Sequence, residues 1–153
     1  MDVRPRNQFV ALLLLSGSCL LAGCGSSGTK DWADHTQGLP FVMGYDEGMK
    51  AAAAENKPAM MFVTTTWCGW CKKLADENFN EPEVKELLTK FVCVIVDGDV
   101  ESAAAAKLGA SGYPHIVFLS AKGEKLAEQS GYASVNEFKP LVQEALKKAV
   151  SGG

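Results

Sequence analysis

The chain has 153 residues, 47% of them hydrophobic, and a formal net charge of -3. That length supports one domain with one sizeable core and hardly a second. Nucleic acid is excluded as an expected partner, because the balance is acidic and arginine occurs only as Arg4 and Arg6, while lysine lacks the planar fork that suits phosphates and base edges.

At the N-terminus, MDVRPRNQ carries the two arginines, an apolar run follows over residues 9–23, and small residues come next. This is the layout of a secretory signal peptide. The run is shorter than the roughly 20 residues a membrane-spanning helix needs, so residues 1–23 are expected to be removed. LAGC at 21–24 resembles the lipobox of bacterial lipoproteins, which implies cleavage before Cys24 and lipid on its thiol and amine. Cys19 fits that pattern less well, since no branched apolar residue stands three positions upstream. An ordinary secretory signal with a chance cysteine is the alternative reading. Several acyl chains would anchor the protein to the membrane, each buried CH2 contributing about 0.8 kcal/mol. Gly25 stands where an aspartate would signal retention at the inner membrane. The same resemblance therefore favours the outer membrane, with the protein facing the periplasm of a bacterial cell envelope.

Residues 24–44 are expected to be the lipidated cysteine and a flexible tether, rich in Gly, Ser, Thr and Asp and without periodicity. Trp32, Leu39, Phe41 and Val42 would dock near its end, and His35 is a tether residue. The folded domain is expected over 45–153 and keeps Cys68, Cys71 and Cys93, in a compartment where disulfides form and persist.

Within that domain the pattern alternates. Residues 45–56 read as a helix with Asp46 as its cap and alanines supplying propensity. The β-branched and apolar run at 58–66, opened by Pro58, reads as a buried strand. Helices follow at 68–79 and 81–90, the second with Pro82 in its first turn. FVCVIVDGD at 91–99 is near-continuously hydrophobic and reads as a strand covered on both faces. A helix at 101–108 ends at Gly109, and 115–120 with 125–131 read as an antiparallel hairpin around AKGE. Residues 134–149 close the chain as a helix, with Ser134 and Glu137 in capping-box spacing. Pro140 lies beyond the first turn, so a kink or a later start is expected there. This order predicts an α/β sandwich with a mixed sheet.

Three motifs carry a family resemblance. WCGWCK stands at a strand-to-helix junction, SGYPHIVF places Pro114 43 residues after Cys71, and SGYAS precedes the last helix. Together, over about residues 45–149, they resemble the thioredoxin superfamily, and the stretch from Asn56 onward is most similar to its exported branch, near the C-terminal domain of the membrane thiol-disulfide interchange reductase. The resemblance implies a thioredoxin-like three-layer sandwich with helices on both faces of the sheet. It also implies thiol-disulfide oxidoreductase activity with no cofactor beyond a redox-active Cys68–Cys71 disulfide. The implied partners are disulfides of exported proteins and a membrane thiol electron donor. In the family the proline matching Pro114 is cis and faces the cysteine pair, which puts Tyr113 in the substrate-facing position.

The local chemistry agrees. A cysteine at the start of a helix faces unpaired N–H groups and the positive end of the helix dipole, both of which stabilise its thiolate. Cys68 stands there. Cys71, one turn later, would be more buried, so Cys68 attacks and Cys71 resolves the mixed disulfide. Gly69 leaves room for close approach, Trp70 offers an apolar surface to a partner, and Trp67 is expected to pack beside Cys68. The uncharged Gly-Trp pair between the cysteines leans toward a reductase. Lys72 would add to thiolate stabilisation.

Other readings stand beside this one. The pair could be an inert short-loop disulfide, or the scaffold a noncatalytic interaction module. A structural zinc site lacks a second CxxC. Cu(I) capture, as in a metallochaperone, would use Cys68, Cys71 and His115. Cys93 reads as a core residue of its strand. One departure from the family bears on mechanism: the buried aspartate six residues before the first cysteine is replaced by Phe62. Asp76, Glu77 or water would then receive the resolving proton, with water or Glu77 preferred.

Overall fold

The computed structural model describes residues 31–152. The expected signal segment at 1–23, the lipidation site Cys24 and the first part of the tether lie outside the described residues. In chain order the elements are α1 (Ala33–Thr36), β1 (Phe41–Met43), α2 (Tyr45–Glu55), β2 (Ala59–Thr64), α3 (Gly69–Phe79), α4 (Pro82–Leu88), β3 (Val92–Asp97), α5 (Ser102–Lys107), β4 (His115–Leu119), β5 (Lys125–Ser130) and α6 (Val135–Ser151).

The sheet grows from β2 and β3, whose apolar runs are buried at every position, as strands covered on both faces must be. Its order is β1-β3-β2-β4-β5. β1 and β2 flank β3 in parallel, whereas β4 runs antiparallel to β2 and β5 antiparallel to β4. Side chains alternate across this sheet with period two. Met60 and Phe62 enter a core with Leu74 and Phe79 of α3 and Phe138 and Val142 of α6. Ala59, Met61 and Val63 enter the opposite core with Ala52 of α2 and Ala105 of α5. The result is a three-layer α/β sandwich with a mixed sheet.

The two faces are packed differently. On the α3–α6 side four phenylalanines, Phe62, Phe79, Phe118 and Phe138, are fully buried, each contributing about 1.5–3 kcal/mol of transfer free energy. On the other side small residues bring α2 close to the sheet: a Cβ added to Gly48 would lie 2.4 Å from Val94 Cγ2. Gly48→Ala would push that helix off β3.

The tether expected at 24–44 is part of the fold from α1 onward. β1 pairs in register with β3, Val42 opposite Val94. The α1 segment is tied to the helices behind the site by an Asp34–Lys72 ion pair at 3.1 Å and by Asn80 Nδ2 donating to Gln37 Oε1 at 3.0 Å. A four-residue helix and a three-residue strand are too short to show periodicity, so only their long-range partners reveal them.

One local expectation changes, and of the two alternatives at Pro140 the later helix start is excluded. Asp46 is not the cap of α2: the N-cap is Gly44, at φ 94°, and the Tyr45 N–H donates to Glu101 Oε1 at 2.9 Å. An acid 56 positions away thus caps this helix. The last helix starts at its Ser134–Glu137 capping box and runs on through Pro140. The carbonyl left without a donor belongs to Asn136, which is exposed, so water can satisfy it.

Candidate redox site

β2 delivers the chain to the C-terminal edge of the sheet, and the turn at residues 65–68 leads directly into α3. Cys68 is the N-cap of α3, in extended geometry. Its N–H donates to the Thr65 carbonyl at 3.1 Å, and its own carbonyl accepts from Lys72 N at 3.2 Å. The Cys71 N–H donates to Cys68 Sγ at 3.2 Å. The sulfurs of Cys68 and Cys71 are joined in a disulfide with an S–S distance of 2.06 Å. Cys68 retains 6% exposure and Cys71 none, so an attacking sulfur reaches Cys68 first. The helix N–H groups and dipole face that same atom, which favours its thiolate once the bond is opened.

Aromatic rings rim the pair on two sides. Trp67, expected to pack beside Cys68, is 69% exposed: its indole N–H donates to Asp99 Oδ2 at 3.0 Å and its ring meets Tyr113 edge-on at 6.1 Å. Trp70 is 60% exposed and lies 5.7 Å from the Tyr132 ring. The space over Gly69 is open, since a Cβ there would meet nothing within 4 Å. Tyr113 is seated on the backbone of Gly98, where an added Cβ would lie 2.1 Å from the phenol oxygen. The Tyr113–Pro114 peptide is cis. His115 pairs with Val63, which sets Pro114 at the end of the sheet from which the Cys68 turn departs. Trp67, Cys68, Gly69, Trp70, Cys71, Tyr113 and Pro114 therefore share one edge of the molecule.

The remaining polar groups sort by partner. Tyr132 Oη and Lys73 Nζ both donate to the Glu77 carboxylate. The Lys73 bond, followed by the Tyr132 bond, holds the Glu77 carboxyl below its ordinary range. That makes Glu77 a poorer proton acceptor than a free glutamate. Asp76 is exposed and accepts from Asn80 Nδ2. His115 has both ring nitrogens committed, Nε2 donating to the Leu108 carbonyl at 3.1 Å and Nδ1 accepting from Ser130 Oγ at 2.9 Å. A copper site would have to break one of those bonds to recruit it. Among the described residues no group of three His, Cys, Asp or Glu side chains is arranged to hold a metal ion. Cys93 is a buried free thiol on β3, pushed up to about 12 by desolvation.

Four residues at this edge were not singled out from the sequence as site residues: Thr65, Asp99, Tyr132 and His35. Tyr132 lies in the SGYAS motif, which is a usable signal. Trp32 and His35 are three apart, as on one helix face, but in a segment with no other helical mark.

Comparison with known proteins agrees with the geometry. A family model for the thioredoxin-like domain matches residues 45–146. The thiol:disulfide interchange protein DsbD of Pectobacterium atrosepticum is 26% identical over 150 residues, covering 88% of this chain but 25% of that protein. The chain thus spans about a quarter of the length of that relative. The disulfide bond reductase DsbH of Chlamydia pneumoniae is 26% identical over 138 residues, covering 78% of this chain and 81% of the relative. In structure, a thioredoxin from Thermus thermophilus superimposes with a TM-score of 0.62 at 25% identity, covering 74% of this chain and 93% of that one. With the mixed five-stranded sheet, the cysteine pair capping α3 and the family match over most of the described residues, the chain belongs to the thioredoxin-like domain family.

Proposed function

We propose that this protein is a lipid-anchored thiol-disulfide oxidoreductase of the bacterial cell envelope that reduces disulfides of exported proteins. The observation that carries the reading is the asymmetry of the cysteine pair: Cys68 caps α3 and keeps a trace of exposure, while Cys71 has none. In the reduced enzyme the Cys68 thiolate attacks one sulfur of a substrate disulfide and forms a mixed disulfide. Cys71 then attacks Cys68 Sγ, the substrate leaves as a dithiol, and the Cys68–Cys71 bond closes to the state described above. A membrane thiol donor returns two electrons to the pair. No further cofactor is required, because the pair itself carries the electrons.

The rim supports a polypeptide substrate. Exposed Trp67 and Trp70 and the half-buried Tyr113 offer apolar surface beside Cys68, and apolar contact area is where such interfaces gain their affinity. Pro114 brings a backbone segment to the same edge. Relatives named as an interchange protein and a disulfide bond reductase support the activity and its direction. Lipid at Cys24, periplasmic orientation and outer-membrane placement rest on the LAGC motif and Gly25.

The test is the reduction potential of the Cys68–Cys71 pair, measured in graded thiol-disulfide buffers. A value near that of thioredoxin, about -270 mV, is expected; one near about -120 mV would make the protein an oxidant and reverse the direction proposed.

A further inference from the structure

His35 belongs to the segment read from sequence as tether, yet it is fully buried. Its ring lies between Trp32, at 5.1 Å, and Phe62, at 6.3 Å. Nε2 is 3.1 Å from the Thr65 carbonyl oxygen. A carbonyl only accepts, so Nε2 carries the proton of the neutral ring and Nδ1 presents a lone pair. The same Thr65 oxygen accepts the Cys68 N–H at 3.1 Å. Two hydrogen bonds therefore join this imidazole to the cysteine that caps α3.

Of three buried side-chain polar atoms without a partner among the described residues, Asn78 Oδ1 lies on α3 and the other two meet here. His35 Nδ1 and Thr65 Oγ1 are both buried with no hydrogen-bond partner among the protein atoms, although buried polar atoms are ordinarily paired. Both belong to the two residues that anchor the Cys68 turn. The charged groups facing the ring are Asp34 and Asp31 from its own segment and Lys72 from α3, and Asp34 and Lys72 pair with each other at 3.1 Å. Burial, with Lys72 adding to it, lowers the affinity of His35 for a proton while the disulfide is closed. The ring is then neutral at neutral pH.

We infer that His35 is a positioning residue of the redox pair and its proton-linked charge: through Thr65 it holds the turn that presents Cys68, and it takes up a proton when the disulfide opens. This deepens the dithiol reading above and rests on it. The balance is closed. A dithiol donor supplies two electrons and two protons as the S–S bond breaks; one proton goes to the Cys71 thiol and the other to His35 Nδ1, while Cys68 remains a thiolate. When that thiolate bonds to a substrate sulfur, negative charge leaves on the other substrate sulfur, and the proton released by His35 neutralises it. Cys71 then displaces the second substrate sulfur, its own proton passing to that leaving group. Coupling is reciprocal: the thiolate raises the proton affinity of His35 by as much as protonated His35 lowers the pKa of Cys68.

The test follows the ring protons of His35 by NMR against pH in the oxidised and reduced protein, and the Cys68 thiolate by its ultraviolet absorbance in wild type, His35→Gln and His35→Leu. Gln keeps an amide donor for the Thr65 carbonyl but cannot take the charge; Leu loses both. The expected result is a His35 pKa that rises by more than one unit on reduction, enough to carry it from its lowered value to above neutral pH, and a Cys68 thiolate population that falls at least about tenfold in His35→Gln at a fixed pH below the Cys68 pKa. Identical His35 titrations in both redox states overturn the inference, and so does a Cys68 titration shifted by Leu but not by Gln, which would reduce His35 to packing. The wild-type titration stands even where a variant fails to fold. Neither titration uses a substrate, so failure of the oxidoreductase reading would appear separately, as a dithiol that turns over no disulfide at any pH.

Discussion

Cys68 and Cys93 carry the same thiol on neighbouring parts of one core, and their surroundings give them opposite chemistry. Cys68 ends a turn, caps α3 and accepts the Cys71 N–H. Cys93 is the second residue of β3, with Met60 and Phe41 beside it in register, and its Sγ lies 3.7 Å from the Leu88 carbonyl. Desolvation alone pushes the Cys93 thiol from 9.0 to about 12, which leaves it protonated and inert. The two residues are almost equally buried, at 6% and 5% exposure, so reactivity here is set by which backbone dipoles face the sulfur: N–H groups at Cys68 and a carbonyl at Cys93. Burial of the same side chain in an apolar strand produces a small hydrophobe.

The largest effect that would sharpen this contrast is on turnover. Cys68→Ser should bring disulfide reduction, followed as insulin precipitation by a dithiol, down to the uncatalysed rate. Cys71→Ala should instead leave a stable mixed disulfide between Cys68 and a substrate, visible on a non-reducing gel. Cys93→Ala should leave the rate unchanged; a loss of activity comparable to Cys68→Ser would break the comparison.

The next effect is on stability and has a definite sign. The folded-state pKa of Cys93 lies above its unfolded value, so the unfolded chain releases this proton first as pH rises. The contribution of Cys93 to stability is therefore fully present below about pH 9 and is lost progressively between 9.0 and about 12. Three pKa units correspond to about 4 kcal/mol at the upper end, an order-of-magnitude figure. Denaturant unfolding of wild type and Cys93→Ala on either side of pH 9 checks it: the stability difference between the two should shift in favour of the alanine variant as pH rises. At neutral pH Cys93→Ala should cost about 1–2 kcal/mol through the cavity it leaves.

The same contrast explains what could be read in advance. The Cys68–Cys71 pair, β2 and β3 are written in contiguous residues: a CxxC directly after a β-branched run, and strands that are apolar up to their last residues, Thr64 and Asp97. The sheet core and the edge that carries the pair were legible for that reason. What escaped depends on partners far along the chain. β1 is three residues long and exists because Phe41, Val42 and Met43 find β3. The cap of α2 comes from Glu101 rather than from Asp46 next to it. His35 is buried because α1 folds back onto α3, and nothing within residues 33–36 announces that. The rim was legible as residue types; the partners of Trp67 and Trp70 were not, since Asp99 and Tyr132 are 32 and 62 positions away.

The smallest effect concerns the surface beside Trp70, where a charged cluster stands against the buried thiol as the opposite extreme. Tyr132 donates to Glu77, Lys73 donates to the same carboxylate, and the Lys73 ammonium lies 5.4 Å from the centre of the Tyr132 ring. Glu77 is partly solvated, so these bonds are screened and contribute little to stability. Their trace should appear in the pH dependence. Because the folded carboxyl is depressed, its contribution is present above the ordinary carboxylate value of 4.5 and fades as pH falls through the depressed one. Tyr132→Phe keeps the ring that packs on Trp70 and removes one of the two bonds holding the carboxyl down. The Glu77 pKa, followed by side-chain carboxyl NMR, should move part of the way back toward its ordinary value, while Tm at pH 7 and the affinity for a polypeptide disulfide stay close to wild type. An unshifted Glu77 would mean that Lys73 alone sets it; a large loss of substrate affinity would mean that the phenol hydroxyl, and not the ring, positions Trp70.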